Sequence, residues 1–262
     1  MNNSQWRVDV LLTGSWRGAT AALISDGGRH FLVDTGLPHE AHQLLKALEA
    51  RGRRPSDIQA VINTHFHIDH VMNNLLFPAS SIYATQESYD WCRGLYSDMF
   101  HDQGWDERLL KYYPELHEQE TTERYMHQLR KIALRWWNPE RLGSLSQYHW
   151  IEQHGLPDGL ESLVTSGHVP GHASVILRQN SQTTTIAGDA LLSREHDEQI
   201  LTMIPHNRRQ YLLDRARILA LGGRVLPGHD SEFVVAPNGD SLSNSNETGR
   251  PNEPVPTIKG EH

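Results

Sequence analysis

Thr64-His65-Phe66-His67-Ile68-Asp69-His70 places three histidines and a carboxylate within seven residues. An apolar run over residues 58–62 precedes it and predicts a short buried strand. The run Val71-Met72-Asn73-Asn74-Leu75-Leu76 follows and can begin a helix. A motif between a strand and a helix faces solvent while its backbone is anchored on both sides. His65 and His67 are two apart, so in extended backbone their side chains share a face. Asp69 and His70 come after the turn and can address a second spot nearby. Neutral imidazole and carboxylate are donors that divalent transition metals take. The competing reading is a histidine-rich loop that binds nothing.

Upstream, residues 6–12 and 20–25 are strand-like, and Gly27-Gly28 turns the chain into a third strand over 29–34. That strand ends in Asp34-Thr35-Gly36. Its carboxylate suits either a turn that accepts backbone N–H groups or support for the histidine motif. A helix is expected over 38–51, with Ala41, Leu44, Leu45 and Leu48 on one face, Pro38 in its first turn and Gly52 after its end. Another short strand is expected over 80–84.

Residues 86–150 change character. Twelve aromatic residues fall there, and the segment is expected to be helical, most clearly over 122–137. In that helix Tyr125, Leu129, Ile132, Ala133 and Trp136 keep helical spacing, and Asn138-Pro139 stops it. Most of these aromatics are expected to form the core of a helical insertion. One or two are candidates for a pocket wall or a homodimer face.

Downstream, a strand over 163–165 runs into Ser166-Gly167-His168-Val169-Pro170-Gly171-His172. A β-hairpin is expected over 174–187, ending in Gly188-Asp189-Ala190. A helix over 208–221 and a short strand at Val225-Leu226 lead into Pro227-Gly228-His229-Asp230. Residues 237–262 are Asn, Ser, Pro, Glu and Gly-rich and are expected to be a disordered tail. The whole is expected to be one domain over 1–236, with an insertion over about 86–150.

The chain has 262 residues, 37% hydrophobic and 21% charged, enough for a large α/β core. No apolar run approaches bilayer length, and the N-terminus lacks the features of a signal peptide. Cys92 is the single cysteine, so no internal disulfide forms. These features favour a cytoplasmic protein that does not engage a membrane. A net charge of −8 argues against a general nucleic-acid binder. The expected partner is a small-molecule substrate.

Four candidate ligand stretches thus follow short apolar runs: residues 65–70, His172, Asp189 and His229. Thr-His-x-His-x-Asp-His, Gly-His-x-Pro-Gly-His, Gly-Asp-Ala and Pro-Gly-His-Asp, in that order, resemble the metallo-β-lactamase-fold hydrolases over residues 6–235. The pattern is similar to the glyoxalase II and acyl-homoserine lactonase branches. The resemblance implies an α/β fold, a four-layer αββα sandwich with the site at one edge. It implies a first metal on His65, His67 and His172, a second on Asp69, His70 and His229, and Asp189 bridging the two. His168 is given a turn-stabilising role on the same basis. Lactonases of that branch commonly carry a tyrosine three residues after the bridging aspartate, where this chain has Leu192. The basic residues that hold glutathione in the thioesterase branch have no obvious counterpart.

Two divalent cations, zinc first, would share a water and generate hydroxide near neutral pH. Asp69 or Asp189 would orient it and move a proton. The expected activity is hydrolysis of a small ester, thioester or lactone. The rival readings are a phosphodiester-cleaving nuclease, with Arg194, Arg208 and Arg209 as its basic residues, and a single-iron redox or non-catalytic module.

Overall fold

The structure is a computed structural model, and it describes residues 5–15, 18–114, 116, 122–195, 205–236 and 241–242. Its backbone forms two mixed six-stranded sheets. The first contains β1 (Arg7–Leu12), β2 (Ala21–Ser25), β3 (His30–Val33), β4 (Ala60–Ile62), β5 (Ser81–Ala84) and β6 (Tyr148–Trp150), in that order. Its first two pairings are antiparallel and the next three parallel. The second contains β7 (Glu161–Val164), β8 (Ala173–Gln179), β9 (Gln182–Gly188), β10 (Gly223–Pro227), β11 (Phe233–Val235) and β12 (Ser241–Leu242). There β9 and β10 run parallel and every other pair antiparallel. Asn180 and Ser181, both at positive φ, make the two-residue turn between β8 and β9.

The helices are α1 (Ala41–Glu49), α2 (Ile68–Val71), α3 (Gln86–Met99), α4 (Trp105–Tyr112), α5 (Thr122–Trp136), α6 (Ile151–His154) and α7 (Arg208–Ala220). Side-chain alternation along the strands builds the layers. Ala22, Ile24, Phe31, Val33, Ala60 and Ile62 of the first sheet meet Val175, Leu177, Ile186 and Leu226 of the second. On the opposite face of the first sheet, Leu23, Leu32, Val61 and Ile82 pack on Leu44 and Leu48 of α1. On the opposite face of the second, Ala187, Val225, Phe233 and Val235 pack on Ile218 of α7. Each fully buried Leu or Ile in these layers contributes about 1.5–3 kcal/mol of transfer free energy. The result is the expected helix–sheet–sheet–helix sandwich.

A further core joins the insertion to the histidine motif. Phe66, Ile68, Val71 and Met72 pack with Tyr89, Cys92, Leu95 and Tyr96 of α3, Trp105 and Leu109 of α4, and Met126 and Ala133 of α5. Most of the aromatics are therefore core. Three sequence expectations change here. Ile132 is 48% exposed, whereas Ala133 is buried, so the inward stripe of α5 runs through Met126 and Ala133. Residues 148–150, expected in the helical segment, form β6 at the edge of the first sheet, with Ile82 opposite Tyr148. β11 was not anticipated; it extends the second sheet beyond β10. The expected tail lies outside the described residues except for Ser241 and Leu242, which pair with β11. Among the described residues no helix is long and apolar enough to cross a membrane.

Candidate metal centre

The loops that follow β3, β4, β7, β9 and β10 meet at one edge of the sandwich. They carry Asp34, the 64–70 motif, the 166–172 turn, Asp189 and His229 respectively. Cross-sheet bonds fix that edge: Thr20 Oγ1 donates to the Pro227 carbonyl at 2.6 Å, and the Ala173 N–H to the Thr64 carbonyl at 2.9 Å.

Two groups of donors result. His65, His67, His168 and Asp189 form one, and Asp69, His70 and His229 the other, with the candidate ligand atoms of each group within 4.8 Å of one another. Asp189 lies between them. Its Oδ1 is 3.2 Å from His70 Nε2 and 3.3 Å from His229 Nε2. Its Oδ2 is 3.2 Å from His168 Nε2 and 3.8 Å from His65 Nε2. His229 Nε2 is also 3.4 Å from Asp69 Oδ2.

The outer nitrogens of these rings fix which atoms face inward. Thr64 Oγ1 donates its single hydrogen to Asp34 Oδ2 at 2.7 Å, so it accepts from His65 Nδ1 at 3.1 Å. His70 Nδ1 donates to Asp34 Oδ2 at 2.7 Å, and His229 Nδ1 to the Ser15 carbonyl at 2.8 Å. An imidazole that carries its hydrogen on Nδ1 presents a lone pair at Nε2 when neutral. The Nε2 atoms of His65, His70 and His229 and both oxygens of Asp189 are buried and make no hydrogen bond among the described residues. Such a set of orphaned donors, nitrogen and oxygen together, fits divalent cations. Holding each ring by its far nitrogen is how metal sites orient their ligands. Asp34 therefore supports His70, one of the two uses its sequence position allowed. Its carboxylate also accepts the Thr64 N–H at 2.9 Å, and its backbone sits at φ 56°, a conformation that Asp tolerates better than most residues.

The electrostatics match this arrangement. Burial pushes His65 and His67 well below the ordinary imidazole range, which keeps them neutral. Burial is the largest single influence and opposes charge on His70 and His229, but the carboxylates together outweigh it, Asp189 with Asp34 at His70 and Asp189 with Asp69 at His229. His70 ends well above its usual value, and His229 is raised to about 9. Burial raises Asp189, yet His229, His70 and His168 together bring it well below the carboxylate range. The buried anion is thus balanced by protons on the surrounding rings. A cation among the same atoms would displace them.

Two residues lie differently from their expected roles. His172, expected as a ligand, has both ring nitrogens engaged. Its Nε2 accepts the Asp189 backbone N–H at 3.0 Å, so its Nδ1 donates to Thr165 Oγ1 at 2.7 Å. His168, expected to stabilise the turn, presents its Nε2 to the cluster, 3.0 Å from His67 Nδ1. The backbone explains the exchange. His172 immediately precedes β8, and its ring lies against the sheet ends. His168 lies in the middle of the buried turn, held by the His206 N–H on its carbonyl at 2.8 Å and by the Gly167 N–H on buried Asp214 at 2.9 Å. The apolar run that begins at Ala173 was the sequence signal that His172 belongs to a strand end. Two glycines permit the close fit around Asp189. Gly188 takes φ 53°, and a methyl group at Gly228 would stand 2.1 Å from Asp189 Oδ1.

Residues from the insertion also reach the cluster, which sequence reasoning did not place. Tyr113 Oη is 3.2 Å from His67 Nε2. Trp91 of α3 packs edge-to-face on Tyr113 and on His206. Arg208 and Arg209 are on the exposed start of α7, beside Leu212 and Leu213. Arg194 lies over the Phe233 ring.

A family model described as the Metallo-beta-lactamase superfamily matches residues 14–229. Human metallo-beta-lactamase domain-containing protein 1 is 27% identical over 219 residues, covering 83% of this chain and 64% of the human protein. The chain therefore spans less than two thirds of that relative. Among solved structures, one described as a probable metal-dependent hydrolase from Staphylococcus aureus aligns with a TM-score of 0.61 at 13% identity, covering 92% of this chain and 96% of the other. AidC, a dizinc quorum-quenching lactonase, aligns at 0.57 and 16% identity, covering 92% of each chain.

Proposed function

The chain belongs to the metallo-β-lactamase superfamily of metal-dependent hydrolases, and from that premise we propose that it holds two divalent cations, zinc first, and cleaves a small ester, thioester or lactone. The observation that carries this reading is the Asp189 carboxylate, which turns one oxygen to His70 and His229 and the other to His168 and His65. His65, His67, His168 and Asp189 would hold one ion and Asp69, His70 and His229 the other, with Asp189 between the two groups. Bound there, such ions supply Lewis acidity and make water nucleophilic near neutral pH.

The chain's own groups do the rest. Asp69 is partly exposed, with its carboxylate 3.4 Å from His229 Nε2. It can take a proton at the mouth of the site and return it to a leaving group. Trp91, Tyr113 and His206 form an aromatic wall beside His67, suited to a partly apolar acyl group. The likeness to AidC adds a lactone to the substrates worth testing. Leu192, buried where the lactonase branch commonly carries a tyrosine, shifts the weight to open-chain esters and thioesters.

A phosphodiester reading keeps one supporting observation. Arg208 and Arg209 are exposed and follow His206, whose N–H bonds the His168 carbonyl. The test is a panel of chromogenic ester, thioester, lactone and phosphodiester substrates on zinc-loaded protein. Ester or thioester turnover well above phosphodiester turnover is expected. The reverse order would replace this reading by the nuclease.

A further inference from the structure

His67 differs from its neighbours in how its ring is held. Its Nδ1 lies 3.0 Å from His168 Nε2, inside the donor group, and its Nε2 lies 3.2 Å from Tyr113 Oη. A neutral imidazole carries one hydrogen and one lone pair, so one of these two nitrogens donates and the other accepts. For His65, His70 and His229 the outer nitrogen is Nδ1, held by Thr64, Asp34 and the Ser15 carbonyl on the sandwich itself. For His67 the outer nitrogen is Nε2, and its partner comes from the insertion.

Tyr113 is well placed to hold it. The residue is buried, just past α4, with its N–H on the Leu109 carbonyl at 3.1 Å and its own carbonyl accepting the Leu116 N–H at 3.1 Å. Trp91 meets its ring edge-to-face at a centroid distance of 5.6 Å and an angle of 87°. The insertion is itself tied to the site. Thr85, which caps α3 by accepting the Ser88 N–H, donates its hydroxyl to the Gly171 carbonyl in the His168 turn. His206 Nδ1 bonds the Tyr112 carbonyl at 2.6 Å, while its N–H holds the His168 carbonyl. The phenol therefore stands at a fixed position relative to both His67 and His168.

We propose that Tyr113 is a positioning residue of the metal centre: its phenol oxygen accepts the Nε2–H of His67, fixes that tautomer, and thereby aims the Nδ1 lone pair at the cation shared with His65 and His168. The value of this bond for metal affinity rests on the two-cation reading, but the tautomer does not. The helical insertion acquires a function from it, as the supplier of one outer partner beside those that the sandwich gives His65, His70 and His229. Loss of such a partner typically weakens metal binding roughly 10–100-fold.

The test has two readouts on the full chain. In metal-free protein labelled with ¹⁵N-histidine, the His67 ring is expected as the Nε2–H tautomer in the wild type and as a mixture in Tyr113→Phe. Zinc competition against a fluorescent chelator is expected to show one ion bound roughly 10–100-fold more weakly in Tyr113→Phe, with the second unchanged. The melting temperature of the metal-free variant checks that it is folded. An Nδ1–H tautomer of His67 in the wild type overturns the proposal, even if the variant fails to fold. Identical tautomer and identical zinc affinities in a folded variant also overturn it. Failure of the wild type to bind zinc would sink the two-cation reading instead, and leave the tautomer result to decide the role of Tyr113.

Discussion

His172 accepts the backbone N–H of Asp189 through Nε2 at 3.0 Å, so it fixes the residue that faces both donor groups while itself belonging to neither. The two histidines of Gly-His-x-Pro-Gly-His therefore have opposite duties. His168→Ala should leave the fold intact and remove a ligand, lowering zinc content and turnover. His172→Ala leaves the Asp189 N–H without this partner in a fully buried place and takes one of its bonds from the Thr165 hydroxyl. That should destabilise the protein by about 1–3 kcal/mol. Melting curves and zinc content of the two variants check the contrast. A His168→Ala protein with a full metal complement would show that the ligand assignment is wrong.

Asp34 reaches His70 Nδ1 at 2.7 Å and the Thr64 N–H at 2.9 Å. Asn at this position keeps the shape but loses the charge that holds the His70 hydrogen. Zinc binding at the group containing Asp69, His70 and His229 should weaken roughly 10–100-fold in Asp34→Asn. Chelator competition measures this. Unchanged affinity would mean that the His70 ring is oriented by packing alone.

Much of this was legible in the sequence because the donors follow strands that read clearly. The apolar runs before Asp34, His65, Asp189 and His229 each became a strand, and their ends converge as the sandwich requires. The choice between His168 and His172 was less legible. Both lie in one glycine-rich turn, and only the start of β8 at Ala173 separates them. The inward face of α5 was misread at Ile132, because helical spacing put it on one stripe with Ala133, whereas the neighbouring helices enclose Ala133 and leave Ile132 exposed. Tyr113 was not legible at all. Its meeting with His67 spans 46 residues and depends on how the insertion folds back.

Gly228 leaves no room for a side chain, since a methyl group there would lie 2.1 Å from Asp189 Oδ1 and 2.9 Å from the Gly188 carbonyl oxygen. Gly228→Ala must displace the carboxylate. A shift of about 1 Å at a reacting centre lowers turnover on the order of a hundredfold. Steady-state kinetics on the responding panel substrate reads this directly. Near-normal turnover in Gly228→Ala would mean that the position of Asp189 does not limit the reaction.

The two faces of α5 should respond differently to charge. Ile132 is 48% exposed and Ala133 only 1%. Ile132→Asp should melt within a few degrees of the wild type. Ala133→Asp buries an unpaired carboxylate and should destabilise the protein by roughly 3 kcal/mol or more. Thermal denaturation of the pair decides it. Equal melting temperatures would mean that the insertion core does not seal this face.

The central claim is that Asp189 stands between two cation sites. Elemental analysis after zinc reconstitution and desalting tests it most directly. Wild-type protein should saturate at about two ions per chain, as the two donor groups imply. Asp189→Asn should retain fewer, because an amide nitrogen is no useful metal donor. Saturation of the wild type at one ion per chain, or a full complement of two in Asp189→Asn, would contradict the account.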